Sequence, residues 1–580
     1  MSGEGASALN SGREPLGPRH RLRRLAVAAL VAVLTAALLA LGYATLAPGG
    51  WTVLKALLAL CLALNAPWLA LSAATGLVGF AVRVGYADPA AAVLPVLRSV
   101  SPFEPIRLWT ALAVFVRNED IGPIEARLLS LTRDLARYGL ADRFTPCVLS
   151  DTSDPCLAAA EAAAVARLRA EAGECRVVYR RRDENAGWKA GNVMDFLDRH
   201  GRRFDLMLCL DADSSMTLPA IIRMVRAMQA DPCMAILQAT VAGTPTAMPF
   251  ARLFQFGHRS GARIWATGQA WWQQEQGAYW GHNALIRIAA FRAHARLPAL
   301  RDGTRVLSHD HVEAAKLHAA GWSVRVLPDD AGSTEAHPPS LVAYLQRDAR
   351  WAAGNLQYLQ LLRRRDLSVL GRLQMLQAVL HYLLSPAWFG MLPLAALLGA
   401  TGEADAVPRD ALLALLATGL LFLHAAKLLG YAELLLNRRE AGRYGGRCRI
   451  IASILAETAF TVLLDPVLAL QKTALVLGMR LRTGWARQDR QGSPLRWLEA
   501  ARLFWPHTLV GLLLLTLFAP TSRFAVLLAA PAYAGLLFAI PFATLTTNLA
   551  FGLWLTRRRL AAIPEEVTEQ RSTRIDATSL

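Results

Sequence analysis

Six long, strongly apolar stretches constrain this chain more than any other feature of its sequence. Leu25 to Ala47 and Ala56 to Val82 carry no charge, and after a long interval come Leu373 to Gly402, Ala411 to Ala426, Leu503 to Ser522 and Phe524 to Thr556. A helix crosses the hydrocarbon core of a bilayer with about 20 apolar residues, so these stretches predict a multi-pass membrane protein with the lipid bilayer as its partner. Composition agrees, with 54% of the 580 residues hydrophobic and only 18% charged. The net charge of +18 lies in arginines beside the apolar runs. Orientation by positive loops and contact with anionic headgroups explain it there, so nucleic acid is not expected as a partner. None of the seven cysteines forms a C-x-x-C pair. They read as small core residues in a reducing compartment, not as a disulfide framework or a zinc site.

Charge placement then orients the chain. Residues 1–20 are polar and predicted to be disordered. Arg21, Arg23 and Arg24 precede the first apolar run and Arg83 follows the second, which puts both ends of a two-helix unit over 21–83 in the cytoplasm. A cleaved signal peptide would have a shorter apolar core than Leu25 to Ala47. Residues 373–437 hold two further crossings, the first expected to be kinked at Pro386 and Pro393. Residues 438–502 are basic loops around Ile450 to Met479, where Glu457, Asp465-Pro466 and Lys472 interrupt the apolar run. That segment is expected to be interfacial or re-entrant instead of a hairpin of two spans. Residues 503–556 supply two last crossings and 557–580 a cytoplasmic tail. The total is six spans, with eight as the alternative, and both counts put the termini and the central region in the cytoplasm.

Between residues 84 and 372 the chain changes character. Apolar runs of strand length (Ala111 to Val116, Thr145 to Leu149, Arg176 to Tyr179, Leu206 to Leu210, Ala235 to Leu237, Val324 to Leu327) alternate with helix-like stretches such as Pro155 to Ala172 and Leu218 to Gln229. Alternation of this kind predicts an α/β domain with a mostly parallel, Rossmann-like sheet, large enough to bury its own core. The run FDLMLCLDADSSM from Phe204 to Met216 carries Asp211 and Asp213 at the carboxyl end of its strand, the edge where open α/β sheets bind ligands. Strand alternation would point both acids to one side. Two carboxylates so close repel unless something positive joins them, so a divalent ion bridging to phosphate oxygens is the functional reading, and a loop or cap pair the plain one.

Further features fall where a nucleotide site would need them. Asp151 follows the strand ending at Leu149, and Lys189 sits among small residues in Gly187 to Asn192 that would let a diphosphate approach the backbone. Asp310 lies in Leu307-Ser308-His309-Asp310 before a helix-like Val312 to Ala320, with helix capping as its alternative. His309 and His311 fit no metal-ligand spacing. Arg347 and Arg350, three apart on a helix, suit a pyrophosphate, and Trp351 offers a flat face to a sugar ring. A solvated basic helix face is the other reading.

Taken together, Asp151, the D-x-D pair, Asp310 in its polar turn and Arg347-x-x-Arg350-Trp351 ahead of membrane spans resemble the processive membrane branch of glycosyltransferase family 2, which includes cellulose and hyaluronan synthases. The strings Val116 to Asp120, Tyr179 to Arg182, GWKAGNVMDF from Gly187, Trp271-Trp272-Gln273 and Gly277 to Ala284 are similar to the glucosyltransferases of osmoregulated periplasmic glucan synthesis in that branch. Two departures from the cellulose-synthase pattern, Ser308-His309-Asp310 for Thr-Glu-Asp and Arg347 for Gln, agree with this group. The resemblance implies a glycosyltransferase A-type domain and an inverting enzyme of the bacterial inner membrane. It would take UDP-glucose and extend a β-1,2-linked glucan acceptor, with another processive polysaccharide synthase or a transferase to a lipid phosphate as alternatives. It also implies Mg²⁺ or Mn²⁺ at Asp211 and Asp213, Asp310 as general base, and Asp151 at the nucleoside. Arg347, Arg350 and Lys189 would lie at the diphosphate and Trp351 at the acceptor sugar, and a periplasmic glucan-processing protein is a candidate partner.

Overall fold

The computed structural model describes residues 18–479 and 493–567. The expected tail up to residue 17, residues 480–492 of the basic loop and the final residues 568–580 lie outside the described residues. Helices α1 (Pro18–Leu46) and α2 (Val53–Gly85) form the expected hairpin. A buried lysine closes its turn: Lys55 Nζ donates to the carbonyls of Pro48 at 2.6 Å and Gly50 at 3.2 Å, placing a cation at the carbonyl end of α1.

The central domain is built on a seven-stranded sheet. Its strands are β1 (Thr110–Val116), β2 (Phe144–Ser150), β3 (Val178–Arg181), β4 (Leu206–Asp211), β6 (Met234–Ala239), β8 (Ala284–Arg287) and β9 (Ser323–Leu327), in the order β3-β2-β1-β4-β8-β6-β9. All neighbours run parallel except β8, which is antiparallel to both β4 and β6. The apolar runs became these strands because helices cover both faces, and β1 and β4 are almost wholly buried. Helices α3 (Gly122–Arg137), α4 (Pro155–Glu171), α5 (Trp188–His200) and α6 (Leu218–Ala230) alternate with the strands as expected. Asp154 starts α4 by accepting from the N–H groups of Cys156 and Leu157, with Pro155 at the first position. One expected strand is displaced: β3 starts at Val178 instead of Arg176, because a turn closed by Cys175 N–H on Ala172 O holds the chain until then. A second, three-stranded sheet joins β5 (Ser214–Met216), β10 (Ser333–Glu335) and β7 (Ala242–Gly243), with β10 in the middle.

Sequence reading gave no sign of α7 (Pro249–Gln273), which joins this domain to the membrane helices. Its seam is lined with glycines. A Cβ on Gly79 of α2 would lie 2.0 Å from Ile264 O, and one on Gly268 of α7 would lie 2.1 Å from Thr75 O. Beyond α7 come α8 (Asp310–Ala319), α9 (Leu341–Leu356), α10 (Val369–Leu383) and α11 (Ser385–Ala400). The apolar stretch from Leu373 is thus divided: Met375 and Val379 of α10 pack with Val312 and Ala315 of α8 in a core shared with the central domain.

Five helical stretches among the described residues are long and apolar enough to cross a membrane, or up to seven if each of two bent pairs counts as one. The first bent pair, α12 (Arg409–Leu423) and α13 (Ala425–Leu436), turns by 74°. Ile450 to Met479 is neither re-entrant nor a hairpin: α14 (Arg447–Val476) is one unbroken helix with Pro466 inside it. It is itself one of the five long apolar helices and packs on α11 as well as on α7, with Phe460 edge-on to Phe250 of α7 at 5.3 Å and Glu457 against Gly257. Near its other end Lys472 Nζ lies 2.7 Å from His381 Nε2 of α10. After α15 (Trp497–Phe518), the expected single crossing from Phe524 to Thr556 breaks into three helices. These are α16 (Arg523–Leu537), α17 (Ala539–Leu545), set at 59° to it, and α18 (Leu549–Arg558). The hydroxyls of Thr546 and Thr547 turn back onto preceding carbonyls, and the Asn548 side chain caps α18 by accepting from Phe551 N–H, which ends one helix and starts the next.

The α2–α7 seam gives a stability prediction. Gly268→Ala drives a Cβ into a backbone carbonyl that cannot rotate away, so it is expected to cost about 1–3 kcal/mol. Thermal unfolding of the full chain in detergent should show it against Gly390→Ala, where nothing lies within 4 Å of the added carbon. Equal melting of the two variants would mean that α7 is not seated closely on α2.

Candidate functional site

The carboxyl end of β4 leads through a short turn into β5 of the second sheet, and Asp151 and Asp211 stand at the carboxyl ends of β2 and β4. Asp151 follows β2 and is buried, with its backbone N–H bonded to Val116 O. Its carboxylate is held in a bidentate pair by Arg182, Nε and Nη2 each at 2.7 Å. The same guanidinium donates to the carbonyls of Ala186 and Trp188, both at 3.0 Å, so one arginine ties Asp151 to the loop before α5. Arg182 lay in a string noted for its resemblance, but no local pattern announced this pairing across 31 residues of sequence.

The glycines around Lys189 have an explanation within the chain. Gly187 is left-handed with φ of 74°, and a Cβ on Gly191 would lie 1.9 Å from Ala186 O. The loop therefore needs them in order to close on itself, whatever approaches it. Lys189 Nζ donates to Gly281 O at 2.8 Å and to the carboxylate of Asp211, the last residue of β4. Burial disfavours charge on both partners, but their mutual attraction outweighs it and holds the Asp211 carboxyl below and the Lys189 ammonium above their usual ranges. Strand alternation does not relate Asp211 to Asp213 as expected, because β4 ends at Asp211 and the next two residues form a turn. Arg127 of α3 fixes that turn by donating to Ala212 O. Both aspartates still act electrostatically on Glu335, the end of β10, placing all three acids in one region.

Asp310 opens α8, two residues earlier than the expected helix start. Its Oδ1 accepts from the His311 backbone N–H at 3.0 Å and lies 3.4 Å from the Tyr358 hydroxyl. Burial works to raise its pKa, but His311, His309 and that N–H prevail and hold the carboxyl well below the usual carboxylate range. His309 donates through Nδ1 to Glu313 Oε2 at 2.7 Å, and this partner keeps the buried imidazole's pKa above its usual value. Glu313 is only 1% exposed, so its carboxylate is committed to His309. The turn carrying Asp310 abuts α9, where a Cβ on Gly354 would lie 2.1 Å from Ser308 Oγ and 3.0 Å from Ser308 N.

Helix α9 brings in the basic motif. Arg347 Nη1 lies 3.7 Å from Glu335, and its guanidinium stacks over Trp351, 4.7 Å from the ring centroid. Arg350 is exposed, and Trp351 is 47% exposed. A cavity of about 280 Å³ begins at His311, beside Asp310, and runs between Trp265, Trp280, Gln269 and the membrane-helix residues Trp68 and His381. No group of three or more His, Cys, Asp or Glu among the described residues is arranged to hold a metal ion. The residues fit one all the same, because Mg²⁺ and Mn²⁺ sites for nucleotides take one or two carboxylates and complete the shell from phosphates and water.

Residues 206–429 match the model of the family described as Glycosyl transferase family group 2, a span holding both aspartates of the D-x-D turn, Asp310 and Arg347 to Trp351. A glucans biosynthesis glucosyltransferase H from Xanthomonas campestris pv. campestris (strain B100) is 36% identical, covering 90% of this chain and 83% of the relative. The chain belongs to the glucans biosynthesis glucosyltransferase H family. A family member from Caulobacter vibrioides (strain NA1000 / CB15N) is 35% identical over 90% of this chain and 82% of its own, and one from Bradyrhizobium diazoefficiens is 34% identical over 86% and 69%. Among solved structures, a mannosyltransferase of Pyrobaculum calidifontis in complex with GDP-Man and Mn²⁺ covers 63% of this chain and 99% of its own at 17% identity, with a TM-score of 0.36. The α/β domain with its mostly parallel sheet, set among apolar helices, is thus that of a family 2 glycosyltransferase acting in glucan biosynthesis.

The seam between the Asp310 turn and α9 can be probed directly. Gly354→Ala displaces that turn, and a shift of about 1 Å at a reacting group costs up to about 10²-fold in rate. Glucosyl transfer by this variant should fall at least tenfold at that scale, with a melting loss no larger than that of Gly268→Ala, since the Ser308 hydroxyl can rotate where the Thr75 carbonyl cannot. Unchanged activity would show that the Ser308 to Asp310 turn does not need its present seat.

Proposed function

We propose that this chain is an inverting glucosyltransferase of the bacterial inner membrane that takes UDP-glucose from the cytoplasm and builds the β-1,2-linked backbone of a periplasmic glucan. The observation carrying this reading is that one sheet edge and the helices packed on it gather four separate acids, Asp151, Asp211, Asp213 and Asp310, with Lys189 and Arg347. An inverting displacement needs a base for the attacking hydroxyl and positive charge at the departing diphosphate. Asp310 is the base; its depressed pKa keeps it ionised and ready to accept a proton at neutral pH. Asp151, oriented by Arg182, grips the nucleoside. Asp211 and Asp213 would hold Mg²⁺ or Mn²⁺, which would supply positive charge to the diphosphate when bound. Arg347 and Arg350 hold the diphosphate from α9, while Lys189 balances Asp211.

The growing glucan is the acceptor. Trp351 offers it one face, and the cavity walled by Trp68, Trp265 and Trp280 beside His311 suits a sugar chain, since aromatic faces and amide groups match the apolar faces and hydroxyl edges of hexoses. Six crossings remain the preferred count, made by α1, α2, α10 with α11, α12 with α13, α15, and α16 with α17. In that arrangement α14 lies at the cytoplasmic interface beneath α7, and the central domain and both termini are cytoplasmic. The bonds of Phe250 N–H to Thr546 O and of Leu495 N–H to Thr547 Oγ1 support it by bringing the start of α7, the approach to α15 and the end of α17 to one level.

Inverted membrane vesicles supplied with labelled UDP-glucose test the whole reading. The expected product is a 1,2-linked glucan. Other linkages would remove the periplasmic-glucan assignment, and label found only on lipid phosphate would remove polymer synthesis.

Separate roles for the acids give a second expectation. Asp213→Asn should lose metal-dependent UDP binding together with turnover. Asp310→Asn should bind UDP nearly as the parent does yet lose about 10²–10⁴ in rate, the usual loss on removing a general base. An Asp310→Asn protein that cannot bind UDP, or keeps more than about a tenth of its activity, is incompatible with the base assignment.

A further inference from the structure

Glu335 is an acid that the roles above leave unused. It ends β10 opposite Ser214, the residue after Asp213. Its carboxylate lies 3.3 Å from His282 Nδ1 and 3.7 Å from Arg347 Nη1, with all three side chains largely buried. Arg347 also has its guanidinium carbon 4.7 Å from the centroid of the Trp351 ring, so the cation touches both a carboxylate and an aromatic face. The backbone beneath Glu335 is fixed, since Asn283 Nδ2 donates to Ser333 Oγ at 2.9 Å and Thr217 N–H to Gly332 O at 2.8 Å. Burial together with Asp213 and Asp211 pushes the Glu335 carboxyl up, against the pull of His282 and Arg347. A carboxylate in such company depends on its cations.

We infer that Glu335 is a positioning residue that takes Arg347 back from the departing nucleoside diphosphate and so eases product release. The inference rests on the reading that Arg347 holds the diphosphate. At 3.7 Å the ion pair is loose, longer than a closed hydrogen bond, so exchanging it for phosphate oxygens and back again costs little. When the diphosphate leaves, a largely buried guanidinium must find another anion or stand uncompensated. Glu335 is that anion, poised on a fixed strand within reach. Were it absent, the diphosphate would remain the best partner Arg347 has, and each round of transfer would end on a product held too tightly. Trp351 keeps the guanidinium plane in place during the exchange, because stacking leaves the edges of the fork open to either anion.

The test is inhibition by UDP, measured on the full chain in vesicles. Glu335→Gln keeps the shape and removes the charge, and is expected to tighten UDP inhibition by about five- to tenfold, the scale of one ordinary hydrogen bond, as suits a loose pair. Damage to the site would weaken UDP binding, so the sign separates release from mere structure. Glu335→Asp, with its charge drawn back from Arg347, should give a smaller tightening and decides the matter alone if the Gln variant does not fold. Unchanged or weakened UDP inhibition in these variants overturns the inference. Arg347→Lys separates this from the parent reading: if it leaves UDP inhibition unaltered, Arg347 does not hold the diphosphate and the site assignment itself fails.

Discussion

Two buried arginines on one helix must be neutralised, and much of the architecture follows from how that is done. Arg252 and Arg259 of α7 are 1% and 2% exposed. Arg252 reaches Leu560 O and Glu566, both at 2.7 Å, while Arg259 pairs with Glu565 at 2.6 Å and Asp330 at 2.7 Å. Stranding a buried charge by removing its partner costs about 3–5 kcal/mol. The segment after α18 is therefore part of the folded core, and Ala561 and Ile563 within it are fully buried. Through these pairs α7 joins the far C-terminal segment to the loop after β9. Since Asp330 lies five residues before Glu335, the same clamp fixes the approach to β10 and hence one wall of the proposed donor site.

The membrane side of α7 is held by the opposite device. Where the arginines demand partners, the glycine seam demands the absence of side chains, so that α2 and α7 meet backbone to backbone. A catalytic domain seated this closely on crossing helices cannot rock freely against them. Any product leaving past His311 meets Trp68 and His381 of the membrane helices within the same cavity. The cavity proposed for the acceptor is thus walled in part by the membrane helices.

Sequence alone revealed the strands buried on both faces, because Ala111 to Val116 and Leu206 to Leu210 have no solvent face to interrupt their apolar runs. It also revealed the acids, since D-x-D and Arg-x-x-Arg-Trp are compact patterns, though what each does lay beyond it. Strands of two to four residues such as β5, β7, β8 and β10 escaped, as their pairing depends on neighbours far along the chain. Helix α7 escaped because arginine, histidine and glutamine on a helix read as a solvated face, whereas here Arg252, Gln255 and Arg259 are buried against other elements. The partners of the acids, Arg182 for Asp151 and Glu335 for Arg347, are tertiary facts, invisible to spacing. The breaks at Thr546 to Asn548 were missed for a related reason: hydroxyl and amide side chains redirect a helix without any charge to betray it.

Two carboxyls of the site are shifted in opposite directions because their neighbours differ. Burial works to raise both; at Asp310 His311 and His309 overcome it and the pKa falls, while at Glu335 burial prevails, aided by Asp213 and Asp211, and the pKa rises. Environments that drive like groups apart in this way assign them different work. The base proposed at Asp310 must be ionised before the acceptor arrives, and two histidines with a backbone N–H favour that state. The same stabilisation makes the carboxylate a weaker base, a cost that lessens if the attacking hydroxyl, drawn into a dry site, sheds its proton as the new bond forms. After His311, the neighbour that acts most on the Asp310 carboxyl is His309. It stands where the cellulose-synthase pattern has an acid, and an acid there would raise Asp310 by repulsion. Glu313, one turn along, restores the missing negative charge but spends it on the imidazole, so Asp310 feels a cation first and an anion only behind it.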